Sequence, residues 1–85
     1  MAKIEIYLTD TCPFCHRAKA LLTAKGVPFT EINVTGDPDA RAAMTERANG
    51  RHTVPQIFIN SESIGGNDRL QALEMRGQLN ALIGL

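Results

Sequence analysis

The side chains best suited to chemistry are two cysteines separated by two residues, Cys12 and Cys15, and the chain has no others. A disulfide-rich scaffold of this size carries about four to eight cysteines. A zinc site built on cysteines needs a second pair or two suitably spaced histidines. An isolated Cys-x-x-Cys in a reducing compartment instead indicates a redox-active pair that works by thiol–disulfide exchange.

The flanking residues place this motif where a strand meets a helix. Residues 4–8 (IEIYL) are apolar and β-branched with one charge, which predicts a buried strand. A helix begins at Cys12 or Pro13, because proline suits the first helical position. The unpaired N–H groups and dipole of a helix N-terminus stabilise a thiolate. We expect Cys12 to be an exposed nucleophile and Cys15, one turn further in, to attack a disulfide formed on Cys12.

The same residues also match Cys-x-x-Cys-His, the attachment pattern of c-type haem. Haem would need export, a distal ligand and a large apolar pocket. No signal sequence is recognised, the chain has no tryptophan, and a strand runs directly into the motif. We therefore interpret His16 as a partly exposed residue of the first helical turn, where Arg17 and Lys19 add positive charge.

The rest of the chain alternates strand and helix patterns. We predict a strand over 27–34, a helix from Pro38 to Ala48 capped by Asp37, a strand over 54–59, a hairpin turn over 60–63, a short strand at Ile64, a helix after Gly65-Gly66-Asn67-Asp68, and a short terminal helix near 79–83. The order β-α-β-α-β-β-α predicts an α/β protein with the thioredoxin-like fold. Its four-stranded mixed sheet has a parallel first pair, an antiparallel last pair, and flanking helices.

Composition excludes several classes of protein. The 85 residues predict a single domain over 1–85. Nine basic residues balance nine acidic ones, so no excess charge favours nucleic acid. No apolar run approaches the roughly 18 residues of a membrane span. With no signal sequence recognised, we expect a cytoplasmic monomer with no bound metal.

Three motifs together resemble the dithiol glutaredoxins, and most closely their short bacterial members. They are Cys12-Pro13-Phe14-Cys15, Thr53-Val54-Pro55, and Gly65-Gly66 with Asp68. The resemblance covers essentially the whole chain, including its length and the order of its elements. It implies glutathione-dependent thiol–disulfide exchange, with glutathione as a co-substrate and no permanently bound cofactor.

The resemblance also implies a glutathione site. Pro55 would be a cis-proline facing Cys12, and the backbone of Val54 would pair with the cysteinyl part of glutathione. The γ-glutamyl carboxylate would rest on the helix N-terminus at Asn67 and Asp68. The full set of implied glutathione contacts is Phe14, Thr53, Val54, Pro55, Gly66, Asn67 and Asp68.

Two positions depart from the family's pattern. Thr9 stands where a lysine is common, which removes a positive charge near the thiolate and the glycine carboxylate of glutathione. Phe14 stands where tyrosine is frequent, which keeps an apolar wall and loses a hydroxyl. Arg41 or Arg51 could contact that carboxylate, although an exposed, solvated arginine is the simpler interpretation of each. We interpret His52 as an exposed loop residue.

Our functional hypothesis is a glutathione:disulfide oxidoreductase acting on protein disulfides and glutathionylated proteins. One alternative is a redoxin reduced by thioredoxin reductase that serves ribonucleotide reductase. Another is a carrier that binds an iron–sulfur cluster with Cys12 and glutathione across a dimer. Pro13 argues against the carrier, because it leaves less room for cluster ligation than glycine or serine.

Overall fold

The computed structural model describes residues 2–85, which form one mixed four-stranded sheet in the order β2-β1-β3-β4. The strands are β1 (Ile4–Leu8), β2 (Thr30–Asn33), β3 (Gln56–Ile59) and β4 (Glu62–Gly65). β1 runs parallel to β2 and antiparallel to β3, and β3 and β4 are antiparallel. The predicted mixed sheet and both predicted pair directions are confirmed.

Four helices connect or follow these strands: α1 (Pro13–Ala24), α2 (Pro38–Arg47), α3 (Asn67–Met75) and α4 (Leu79–Ile83). Proline begins both α1 and α2, where its fixed φ suits the first helical position. Asp37 caps α2, since its carboxylate accepts the Ala40 N–H at 3.1 Å. The predicted caps and helices therefore form, with α2 ending one residue earlier than expected.

The helices cover both faces of the sheet. On one face the buried residues Cys15, Ala18 and Leu22 of α1 join residues of β1, β3, α3 and α4 in the larger core cluster. On the other face α2 contributes Met44, which packs with Ala48, Tyr7, Val34 and Phe58. The sheet is thus the middle layer of three, and α1 begins at the end of its central strand β1.

Three strands differ in their bounds from the sequence prediction. β2 begins at Thr30 rather than residue 27, because Pro28 has no N–H to donate to a ladder. β3 begins at Gln56 rather than residue 54, since Pro55 has the same defect. The hairpin turn is two residues long, so β4 is a full strand rather than the single residue Ile64. Asn60 and Ser61 both have positive φ, 52° and 68°, which suits a two-residue turn.

An ion pair ties α2 to the sheet. Arg47 donates to both carboxylate oxygens of Glu5, at 3.2 and 2.7 Å, and to the Tyr7 hydroxyl at 3.1 Å. Its guanidinium carbon also lies 4.2 Å from the ring centroid of Phe58. The hydrogen bond from Arg47 holds the pKa of Glu5 below its ordinary value.

Within residues 2–85, no helix is both long and apolar enough to cross a membrane.

Candidate active site

Cys12 occupies the N-cap position of α1, as the sequence predicts. Its backbone is extended, with φ −121° and ψ 103°, and its Sγ accepts the Cys15 N–H at 3.1 Å. The sulfur therefore receives a backbone hydrogen bond and lies at the positive end of the helix dipole. The Cys12 thiol also donates to the Val54 carbonyl at 3.7 Å, a bond that ionisation would remove.

The expectation of an exposed Cys12 is wrong, because only 7% of the residue is accessible. The residue packs with the larger core cluster, and the partly buried Val54 packs against the same cluster. The sulfur therefore lies against the Val54–Pro55 loop, and only a small part of the residue is accessible to a substrate disulfide.

Cys15 lies one turn further along α1 and is 1% exposed. Burial raises the pKa of its thiol to about 12, and the hydrogen bond and charge of the Cys12 sulfur act in the same direction. Cys15 is therefore neutral near pH 7, whereas the Cys12 sulfur accepts a hydrogen bond from the Cys15 N–H.

Among residues 2–85, no three His, Cys, Asp or Glu side chains are grouped as metal ligands.

The loop facing Cys12 is the one that precedes β3. Its Val54–Pro55 peptide bond is cis, as the resemblance implies. Behind the loop, the Gln56 carboxamide donates to the Thr53 carbonyl at 2.9 Å and lies 3.3 Å from the Thr53 hydroxyl. Thr53 itself is exposed. Val54 therefore contacts the Cys12 sulfur through its carbonyl, and it follows Thr53, whose carbonyl is held by Gln56.

The N-terminus of α3 lies next to this loop. A Cβ built at Gly66 would lie 3.4 Å from the Pro55 carbonyl and 3.4 Å from the Asp68 carboxylate, so these three residues are neighbours. Gly66 is the N-cap, and no side chain within residues 2–85 caps this end of the helix. Asn67 accepts instead from Gln71 at 3.1 Å. The first N–H groups of α3 form an end suited to a carboxylate.

Side chains also hold the loops around the motif. Asp10 accepts from Asn33 at 2.6 Å, and its N–H donates to the Thr35 hydroxyl at 2.9 Å. The loop before Cys12 is thereby tied to the last residue of β2 and to the segment that follows it. Arg41, which we expected to be solvated, is partly buried and donates twice to the His52 carbonyl, at 3.2 and 2.9 Å.

The remaining candidates lie on the surface. Phe14 is 56% exposed, and the Arg17 guanidinium carbon lies 5.4 Å from its ring centroid. His16 and His52 are exposed, as expected. Lys19 pairs with Glu31 at 3.2 Å, and its charge still acts to lower the pKa of Cys15. Of the predicted positive charges, Arg17 is thus paired with an aromatic ring and Lys19 with a carboxylate.

Sequence reasoning missed Gln56 and the pair Asn33 and Thr35. A signal for Gln56 was present, since it is the one polar residue between Val54 and Ile59 in a pattern typical of a buried strand. Nothing comparable marked Asn33 and Thr35, because polar residues after an exposed strand are ordinary. Their contact with Asp10 depends on the parallel pairing of β1 and β2.

A Cys-x-x-Cys opening the first helix, beside a cis-proline loop on a mixed sheet, defines a thiol–disulfide oxidoreductase with a thioredoxin-like fold. The sequence profile described as "Glutaredoxin" matches residues 4–64. The chain belongs to the glutaredoxin family, and its activity is that of a glutaredoxin-type thiol–disulfide oxidoreductase.

Individual relatives agree with this assignment. The chain is 54% identical over 83 residues to "Glutaredoxin 3" of Escherichia coli strain K12, covering 98% of this chain and 99% of the relative. It superposes on the solution structure of glutaredoxin from Brucella melitensis with a TM-score of 0.85 and 51% identity, covering 98% and 89% of the two chains. A buckwheat glutaredoxin–glutathione complex matches with a TM-score of 0.87 and 26% identity, covering 96% and 76%.

Proposed function

We propose that this protein uses glutathione as its co-substrate and acts on protein disulfides and glutathionylated proteins through Cys12 and Cys15. The observation that carries the proposal is the position of the Cys12 sulfur, between the Cys15 N–H at 3.1 Å and the Val54 carbonyl at 3.7 Å. The complex of the buckwheat relative with glutathione supports the choice of tripeptide. We assign the activity to a monomeric, cytoplasmic single domain spanning residues 1–85.

The glutathione site that we propose has two anchoring regions. At Val54, backbone groups pair with the cysteinyl part of the tripeptide in a strand-like manner. At the uncapped N-terminus of α3, Gly66 and Asn67 present N–H groups to the γ-glutamyl carboxylate, and Asp68 accepts from its ammonium group. The close approach of Gly66 to the Pro55 carbonyl supports a continuous site across both regions.

Two further residues would border the tripeptide. Phe14 is exposed at the first turn of α1, and we assign its ring as an apolar wall of the glutathione site. Thr53 precedes Val54 and presents its exposed side chain at the edge of the site. Thr9 supplies no positive charge for the glycine carboxylate. Arg41 and Arg51 are the two candidates that we keep for that contact: Arg41 holds the His52 carbonyl through Nε and Nη2, and Arg51 Nη1 would lie 3.4 Å from a Cβ built at Gly65.

The reaction starts with attack of the Cys12 thiolate on the glutathione sulfur of a glutathionylated protein. One S–S bond forms between Cys12 and glutathione, the original S–S bond breaks, and the protein leaves as a thiolate that takes a proton from solvent. A second glutathione thiolate then attacks the mixed disulfide. It releases Cys12 as a thiolate and leaves oxidised glutathione, so this route does not use Cys15.

With a protein disulfide the second step is intramolecular. Cys15 loses its proton and attacks Cys12 in the mixed disulfide, which releases the reduced protein and leaves a Cys12–Cys15 disulfide. In the mixed disulfide Cys12 carries no charge, so its charge no longer opposes ionisation of Cys15. Two glutathione molecules reduce the pair and become oxidised glutathione. Because burial keeps the Cys15 thiol protonated at the start of the reaction, we assign the first attack to Cys12.

The test is a coupled assay in which glutathione reductase and NADPH report turnover of a glutathionylated peptide. Cys12→Ser should abolish turnover, because the variant has no attacking sulfur. Cys15→Ser should retain deglutathionylation and lose the reduction of a peptide disulfide. Loss of deglutathionylation in a folded Cys15→Ser protein would refute this scheme.

A further inference from the structure

We infer that Gln56 is a positioning residue, which orients the Thr53–Val54 peptide so that the Val54 N–H is available to the substrate. The inference rests on the proposed function and extends it to a residue behind the site. Gln56 is 1% exposed, so a substrate in the cleft does not reach its side chain. It would act on the substrate only through the peptide that it holds.

The orientation of the Gln56 carboxamide follows from its partner. A backbone carbonyl can only accept a hydrogen bond, so the Gln56 group 2.9 Å from the Thr53 oxygen is the NH₂ donor. The same nitrogen lies 3.3 Å from the Thr53 hydroxyl. Two contacts from one buried group to one residue fix the direction of the Thr53 carbonyl.

Peptide planarity carries this constraint to Val54. The Thr53–Val54 peptide is trans, so its carbonyl and its N–H point in opposite directions. Because the Thr53 carbonyl faces the Gln56 carboxamide, the Val54 N–H faces away from that carboxamide. The carbonyl of Val54 meanwhile accepts from the Cys12 thiol, so the oriented residue borders the nucleophile.

The Gln56 side chain is unfavourable as packing alone. Its Oε1 is buried and accepts from no donor in residues 2–85. A buried acceptor without a donor destabilises a protein, whereas an apolar side chain of the same shape carries no such cost. The other residues of β3 are Ile57, Phe58 and Ile59, all buried and apolar. The hydrogen bond to Thr53 is the evident benefit of a carboxamide here.

The test compares Gln56→Met, which keeps the size and removes the donor, with Gln56→Glu, which places acceptors against the Thr53 carbonyl. Turnover of a glutathionylated peptide gives KM and kcat, thermal melting gives Tm, and iodoacetamide labelling gives the reactivity of Cys12. Ile59→Val, at the far end of the same strand, is the control for loss of packing.

We expect Gln56→Met to raise KM about fivefold, as loss of one oriented hydrogen bond implies. Its kcat and iodoacetamide reactivity should stay within about twofold of wild type, and its Tm should be equal or higher. Gln56→Glu should raise KM more than Gln56→Met, whereas Ile59→Val should lower Tm and leave KM unchanged.

A purely structural Gln56 predicts the opposite pattern. A KM within about twofold of wild type in Gln56→Met overturns the inference, whatever the Tm. A lowered Tm accompanied by changes in both KM and kcat also overturns it. If Gln56→Met does not fold, the KM of Gln56→Glu is judged by the same criterion. Wild-type protein that fails to turn over the peptide overturns the proposed function itself, which separates the two failures.

Discussion

The two cysteines should differ widely in reactivity, although one helical turn separates them. With the pKa of Cys15 raised to about 12 by burial, roughly one Cys15 in 10⁵ is a thiolate at pH 7. An ordinary thiol with a pKa of about 8.5 is ~3% ionised at that pH. Since the thiolate is the nucleophile, this raised pKa, of which burial is the largest cause, slows Cys15 on the order of a thousandfold.

Two single variants isolate each sulfur. Cys15→Ser leaves only Cys12, and Cys12→Ser leaves only Cys15. In Cys12→Ser, the pKa of Cys15 is no longer raised by the Cys12 sulfur, but it is still raised by burial, which is the larger cause. We therefore expect iodoacetamide at pH 7 to label Cys15 at least ~100-fold more slowly than Cys12.

The assay follows the mass increase of each intact variant with time. Labelling in guanidinium chloride provides the control, because both cysteines should react at similar rates once the fold is lost. Native labelling rates within about tenfold of each other would refute the reasoning. They would show that burial and helix position do not separate the two sulfurs.

Three further predictions address the scaffold and the family departures. Glu5 has a lowered pKa through Arg47, so its contribution to stability is present above the unfolded pKa of about 4.3 and is lost as pH falls through the folded value. Wild-type Tm should therefore fall more between pH 6 and pH 3 than the Tm of Glu5→Gln, and parallel melting curves would contradict this. Gly65 has φ +113°, and a Cβ there would lie 3.0 Å from Arg69 Cγ, so Gly65→Ala should destabilise the protein by about 1–3 kcal/mol in urea unfolding. An unchanged urea midpoint would show that alanine at this position introduces no strain. Thr9→Lys should lower KM for glutathione several-fold at low salt, with the gain shrinking as salt is added; an effect independent of salt would exclude the electrostatic explanation.

Much of the fold follows from local signals. Pro13 and Pro38 begin helices because their φ is fixed, and Asp37 caps the helix that the sequence assigns to it. Proline also explains two errors, since Pro28 and Pro55 delay the start of strands that an apolar pattern alone extends too far. An apolar pattern indicates which residues are buried, whereas pairing in a β-ladder also requires backbone N–H groups, which proline lacks.

The site was predictable in its motifs but not in its supporting contacts. The position of Cys12 at a helix N-terminus follows from the order of strand, loop and proline. Its low exposure does not, because the Val54–Pro55 loop that borders it is 42 residues away in sequence. The role of Asn33 likewise depends on which loops the sheet brings together, whereas Gln56 contacts Thr53, which is only three residues away.

The Cys12 sulfur should exchange with glutathione without help from Cys15. The most direct test incubates Cys15→Ser with oxidised glutathione, maps the adduct by mass spectrometry, and then adds reduced glutathione. We predict one glutathione per chain, attached to Cys12, and its complete removal by the reduced tripeptide. A folded protein that gains no adduct, or whose Cys12 adduct persists in reduced glutathione, would contradict exchange at Cys12 alone.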